Sequence, residues 1–295
     1  FRRPRSPRPP RESHAPMTAT TALTPSRTAT RIQMGMPITI EVVGPNATED
    51  DLDDAFTYLR EVEARFSTYL PDSEMTRLNH GLVTYDTASP AMRDMLDRAD
   101  DTRRATGGHF NAWRDGRCDL AGVVKGWAIK AVADRLASRG HRDYLVNAGG
   151  DIQTAGGNAD GEAWHIGIRN PADVTQVVKV VHLSGEGIAT SGTYERGDHI
   201  YRPVPVAPDD DPLVAITIIG PNVYDADRFA TAAFAMDAHG IAFVHSLEGF
   251  EGYAIHASGI ARYTAGFRRY LVPRAAHTLP PEIEAVLDTT PGGNA

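Results

Sequence analysis

Asp227 and Thr231 stand four residues apart in the run Ala226-Asp227-Arg228-Phe229-Ala230-Thr231. On a helix that spacing stacks both side chains on one face. A carboxylate and a hydroxyl are hard oxygen ligands, the kind Mg²⁺ takes while keeping room for water and phosphate. The plainer account is an acidic residue favoured by a helix dipole beside a threonine that packs. A second run, Asp119-Leu120-Ala121-Gly122-Val123-Val124-Lys125-Gly126, brings a carboxylate, two small residues and a lysine to a helix start. Free N–H groups there, with an ammonium nearby, suit a phosphate, although GxxxxGK is absent and a surface lysine is the alternative. In Asn147-Ala148-Gly149-Gly150-Asp151 the paired glycines allow close main-chain approach to a ligand, or simply a tight turn. GxGxxG is missing, and no acidic residue follows at dinucleotide-fold spacing. The loop from Thr190 to His199 crowds hydroxyls, Arg196 and a histidine. With an ordinary pKa of roughly 6.5, His199 could act as a general base. A Ser–His–Asp hydrolase built on Ser191 would call for GxSxG, which is absent.

Positioning these groups falls to elements that periodicity predicts. Ile38 to Val43 alternates as a strand. Thr48 caps the next helix, Asp51 completes a capping box, and Leu52, Phe56, Leu59, Val62 and Phe66 form its apolar stripe. Ser89 and Pro90 open a second helix whose inner face carries Met92, Met95, Leu96 and Ala99. A third runs from about Val124 to Arg139, with Trp127, Ala128, Ala131, Val132 and Leu136 inward, so Lys125 falls in its first turn. Strands follow at YLVN, WHIGI, VVKVVHL, GIAT and LVAITII, separated by turn residues. A last helix spans Ala226 to His239 and stops at Gly240. Strands and helices mix without strict alternation, which predicts an α+β fold.

Residues 1–30 are rich in Arg, Pro and Thr and are expected to be disordered; 31–272 form the folded domain, and 273–295 a loosely ordered tail. Over 295 residues the net charge is −8 with 41% hydrophobic residues. That balance argues against nucleic acid as a partner. The lone cysteine, Cys118, cannot form an internal disulfide and reads as a small core residue. No apolar stretch is long enough to span a bilayer and no signal peptide is recognisable, so a cytoplasmic location is expected.

Taken together the motifs resemble the FAD:protein FMN transferases of the ApbE type. The matching blocks occur in family order: Met34-Gly35-Met36; FSTYLPDSE onward to Asn79; GGHFN; DLAGVVKGWAIK; VNAGGDI with WHIGIRNP; GIATSGTYERGDHI; and VAITIIGPNVYDADRFATAAFAMDA. The short connection from Asn111 to Asp119 resembles that of compact actinobacterial members. The resemblance implies duplicated T-fold-like α/β units around one flavin site. It implies that Met34, Ser67, Thr68, Tyr69, His109, Phe110, Asn111, Asp119, Lys125, Ser191 and Ile200 bind FAD. Gly122 through its main chain, Asp227 and Thr231 would hold Mg²⁺, and His199 and Asp227 would be catalytic. The implied reaction moves FMN from FAD to a Thr or Ser hydroxyl of an acceptor protein and releases AMP. Water in place of the hydroxyl would make the chain an FAD pyrophosphatase; a non-catalytic FAD-binding protein is a third reading. Asn111 stands where the family has Asp, and Arg202 where its HIxDP pattern has Asp.

Overall fold

The computed structural model describes residues 23–193 and 211–272, together with the backbone of 284–286. His199, Ile200 and Arg202 therefore lie outside the described residues. Nine strands form one sheet in the order β1 (Ser26–Gln33), β2 (Met36–Val43), β5 (Asp143–Ala148), β6 (Asp151–Ala155), β9 (Gly187–Gly192), β10 (Leu213–Gly220), β11 (Glu251–His256), β12 (Ala261–Tyr263) and β13 (Glu284–Val286). Every pairing is antiparallel except β12 with β13. Helices α1 (Glu49–Phe66), α2 (Glu74–Asn79), α3 (Pro90–Ala105) and α4 (Ala121–Ser138) intervene between β2 and β5. Between α3 and α4 lies the short ribbon β3 (Trp113–Arg114) and β4 (Arg117–Cys118). Helices α5 (Val223–Ala235) and α6 (Gly240–Ser246) intervene between β10 and β11. Each half thus reads strand, strand, helices, strand, strand. A mixed α+β architecture is what the sequence predicts.

Alternation along the strands assigns the two faces of the sheet. Ile38, Ile40 and Val42 of β2 are fully buried against α1, α3 and α4. In β10, Ile216 and Ile218 face α5 and α6, whereas Ala215 and Ile219 face the opposite layer. That layer is the separate ribbon of β7 (Trp164–Asn170) and β8 (Asp173–Leu183) with the turn around Phe267. The period of two sends successive side chains to opposite faces, so both faces bury aliphatic residues. Among the described residues, no helix is long and apolar enough to cross a membrane.

Several boundaries differ from those that periodicity predicts. Residues 26–30 are strand, not leader: β1 pairs with β2 along its whole length. Its mainly polar residues, half of them exposed, are those of an edge strand that gains order from the main chain of β2. Helix α4 starts at Ala121, before Val124, so Lys125 lies in its second turn. Helix α5 starts at Val223, where the Asn222 side chain accepts the N–H of Asp225, and Asp227 falls in its second turn, away from the dipole's strongest field. Gly240 does not stop that helix. The stop is Asp237 at φ 51°, whose carboxylate accepts the N–H of Leu213 at 2.9 Å. Gly240 instead opens α6, where a Cβ would come within 2.1 Å of the Ala233 carbonyl oxygen. Strands β6, β11 and β12 and helix α2 are not among the elements that periodicity predicts; β12, of three residues, and α2, of six, are too short to show one.

The expected capping box at Thr48 is present, and tertiary structure extends it. Asp51 Oδ2 accepts from Thr48 N at 3.0 Å and Thr48 Oγ1 at 2.7 Å. Its other oxygen accepts from Arg139 at the far end of α4, at 2.9 Å, and His141 Nε2 lies 3.1 Å from Oδ2. Burial pushes the Asp51 carboxyl up, but bonds from Thr48, Arg139 and His141 outweigh it and hold the pKa well below the usual carboxylate range. A depressed folded pKa stabilises fully above the unfolded value, and that stabilisation is lost as pH falls toward the folded value. Asp51→Asn is therefore expected to cost about 1–3 kcal/mol at pH 7. Urea melts should show the gap from the parent narrowing below pH roughly 4. An equal gap at pH 7 and pH 3 would contradict the assignment.

Candidate functional site

Three segments converge on a cavity of about 290 Å³. The first is the tight turn joining β1 to β2. Met34 and Gly35 occupy it at φ 52° and 74°, the two left-handed residues of a hairpin turn matched to the strands' twist. Left-handed φ is uncommon for a residue with a Cβ, so this turn holds the Met34 side chain at the cavity at some conformational cost. The second is the Ser67–Leu70 loop after α1. Ser67 Oγ accepts the N–H groups of Tyr69 and Leu70 at 3.2 and 3.3 Å, and Ser73 Oγ donates to the Ser67 carbonyl at 2.6 Å. These bonds shape the loop and leave the Tyr69 ring 90% exposed beside the opening. The third is the start of α4, contributing Asp119, Ala121, Val124 and Lys125. Asp119 Oδ1 accepts the N–H of Ala121 at 2.9 Å and so fixes the helix entry. One residue earlier, the Asn79 amide clamps Cys118, donating to its carbonyl at 2.9 Å and accepting its N–H at 2.7 Å. Burial pushes the Cys118 thiol up to about 12, so it stays protonated at neutral pH and is not a nucleophile.

At its Lys125 end the cavity meets the last long helix. Lys125 Nζ lies 2.6 Å from Asp151 Oδ2 and 4.0 Å from Asp227 Oδ1. Asp227 is 4% exposed, and its Oδ2 accepts the main-chain N–H of Gly126 at 2.8 Å. Thr231, one turn further along α5, sits against Gly122: a Cβ there would lie 3.4 Å from Thr231 Oγ1 and 2.9 Å from the Phe110 ring. Glycines at 122 and 126 let the two helices approach this closely. Asp227 thus lies beside an ammonium, with Thr231 one turn further on and packed against the Gly122 main chain. Among the described residues no group of three or more His, Cys, Asp or Glu side chains is assembled. A cation here would complete its shell with water and substrate phosphate, which is how magnesium is held. The donor chemistry fits such an ion.

The remaining described residues named by the resemblance do not line this cavity. Phe110 is 3% exposed and packs on Gly122. His109 precedes it, and its Nδ1 is buried without a hydrogen-bond partner among the described residues. Asn111 is exposed; its Oδ1 accepts the N–H of Trp113, and it lines a different cavity of about 370 Å³ with Tyr85, Asp97 and Trp113. Ser191 is buried on β9, opposite Ile216 of β10. Two residues are absent from the sequence-derived site. Asp151 is 1% exposed and is the close partner of Lys125; Gly126 feeds its N–H to Asp227. The available signal for Asp151 was its place directly after the paired glycines, and for Gly126 its place at the end of the Asp119–Gly126 run.

The sequence profile of the ApbE family matches residues 34–113 and 112–254. This chain belongs to the ApbE family. Among relatives, the FAD:protein FMN transferase of Vibrio cholerae (serotype O1, classical Ogawa) is 32% identical over 162 residues, 52% of this chain and 47% of that protein. The enzyme of the same name from Escherichia coli K12 is 31% identical over 150 residues, 48% and 43% of the two chains. The match therefore spans about half the length of these curated relatives. In fold the chain is similar to the flavin transferase ApbE from Vibrio cholerae, with TM-score 0.72, 23% identity and coverage of 84% of this chain and 100% of that one. It is likewise similar to the ApbE protein of Thermotoga maritima, with TM-score 0.71, 18% identity and coverage of 83% and 99%.

In this ApbE-family chain the α4–α5 contact leaves no room at residue 126. A Cβ there would meet Asp227 Cβ at 2.8 Å, the Val223 carbonyl oxygen at 2.9 Å and Tyr224 Cα at 3.0 Å. Gly→Ala inside a helix ordinarily gains roughly 0.5–1 kcal/mol. Here Gly126→Ala is expected to lose about 1–3 kcal/mol through overpacking, read from the urea midpoint. A stabilised variant would show that the helices can part without cost.

Proposed function

We propose that this chain transfers FMN from FAD to a Thr or Ser hydroxyl of an acceptor protein, in a magnesium-dependent reaction that releases AMP. The observation that carries the reading is the position of Lys125. It lines the cavity that Met34, Ser67, Thr68, Tyr69 and Asp119 also line, and its ammonium lies 4.0 Å from Asp227. One end of the cavity therefore offers apolar and aromatic surface for a flavin, and the other offers charge for a diphosphate.

In the proposed reaction the acceptor oxygen bonds to the phosphorus of the FMN half. The bridging P–O bond to the AMP half breaks, and AMP leaves with that oxygen. The hydroxyl proton passes to a base, a role we assign to His199 by resemblance. Lys125 would offset the charge of the diphosphate, and the exposed Tyr69 ring would cover a flavin ring. Asp227, Thr231 and the Gly122 carbonyl would hold the magnesium ion. When bound, that ion would neutralise phosphate charge and favour the leaving group.

The test is AMP release from FAD and Mg²⁺, with and without a protein bearing an accessible Thr or Ser acceptor. Transfer predicts AMP in step with covalently flavinylated acceptor. AMP and free FMN without acceptor would make the chain a pyrophosphatase instead. FAD binding with no AMP in either mixture would leave a binding protein.

A further inference from the structure

The structure points to Asp151 as more than a structural carboxylate. It opens β6 in the first half of the sheet, and its side chain is 1% exposed. Oδ1 accepts the N–H of Thr190 on β9 at 3.1 Å, which fixes the carboxylate's position. Oδ2 lies 2.6 Å from Lys125 Nζ, a close ion pair between two shielded groups. The same ammonium is 4.0 Å from Asp227 Oδ1. One lysine thus stands between two buried carboxylates, nearer Asp151. Attraction between unit charges falls with distance and is strong at low dielectric. An ammonium seated on Asp227 would compete there with any cation; one held by Asp151 competes less.

We propose that Asp151 is a positioning residue that draws the Lys125 ammonium off Asp227, and thereby sets the affinity of the Asp227–Thr231–Gly122 oxygens for a divalent cation. This rests on the cation-dependent reading above. Two consequences have opposite signs. Removing the anchor releases Lys125 toward Asp227 and weakens cation binding. Removing the lysine itself eliminates the competitor and strengthens it. An Asp151 that served only to hold the sheet together would change cation binding equally with and without Lys125.

The experiment titrates Mn²⁺ alone, followed by electron paramagnetic resonance of the free ion, into the parent protein, Asp227→Ala, Asp151→Asn, Lys125→Met and the double variant. Asparagine retains an oxygen for the Thr190 N–H, and thermal unfolding of each variant checks that it is folded. Asp151→Asn is expected to raise the Kd about 10-fold, in the range seen for groups that orient metal ligands. Lys125→Met is expected to lower it several-fold, and in that background Asp151→Asn should change it by less than about 2-fold, the non-additivity of two residues acting as one unit. An equal loss from Asp151→Asn with and without Lys125 would overturn the proposal, as would weaker binding in Lys125→Met. Should Asp151→Asn not fold, Asp151→Glu takes its place in the same comparison with and without Lys125. Mn²⁺ binding that is absent in the parent, or unaltered by Asp227→Ala, would instead overturn the cation site beneath both readings.

Discussion

Asp227→Ala is expected to lower FAD-dependent AMP release by about 10³-fold or more, the scale of losing a principal charge-stabilising group at a reacting phosphate. The carboxylate is buried, sits one turn before Thr231, and faces the Lys125 ammonium at 4.0 Å. The alanine also strips the Gly126 N–H of its acceptor, at a cost to stability of about 1–3 kcal/mol. Asp227→Asn separates the two effects. Its amide oxygen can still accept from Gly126, so the melting temperature should return toward the parent while turnover stays low. Unchanged turnover in the alanine variant would remove Asp227 from the reaction and, with it, the cation site.

Lys125→Met should cost about 10²-fold or more in kcat/KM for FAD, because it removes the ammonium proposed to meet the diphosphate. Methionine keeps most of the apolar stem, so the loss reports charge rather than packing. Lys125→Arg is expected to recover only part of the rate. A planar guanidinium cannot reproduce the compact ammonium that reaches Asp151 at 2.6 Å in a site only 17% exposed. Full activity in Lys125→Met would show that the cavity's charged end is not where FAD places its phosphates. Set beside the Mn²⁺ titration, the same variant would bind the ion more tightly and turn over more slowly, a combination that general unfolding cannot produce.

Local signals are legible in the chain itself. The capping box at Thr48, the Ser89–Pro90 start and the apolar stripe of α1 depend on neighbours within one helical turn, and all three stand in the structure. The family, too, is carried by short blocks in order. Less legible were elements whose order comes from partners distant in sequence. Threonine-rich β1 passes for a leader until β2 lies beside it, and Gly240 passes for a stop until Ala233 is seen against it. The two helices nearest the site each began three residues earlier than their apolar periodicity indicates. Residues 121–123 and 223–225 make up first turns, where caps and N–H groups outweigh the apolar pattern.

Residue types and spacing alone determined which groups could do the chemistry: Asp227 and Thr231 on one helical face, and Lys125 behind Asp119. They could do so because a helix fixes the relation of residues four apart whatever surrounds it. Only the tertiary structure decided that β6 delivers Asp151 to Lys125, that Gly126 gives its N–H to Asp227, and that Asn111 lines a separate cavity. Those relations cross up to 101 residues of chain. They are set by how sheet and helices pack, a matter of shape and burial over the whole domain that short-range pattern does not encode.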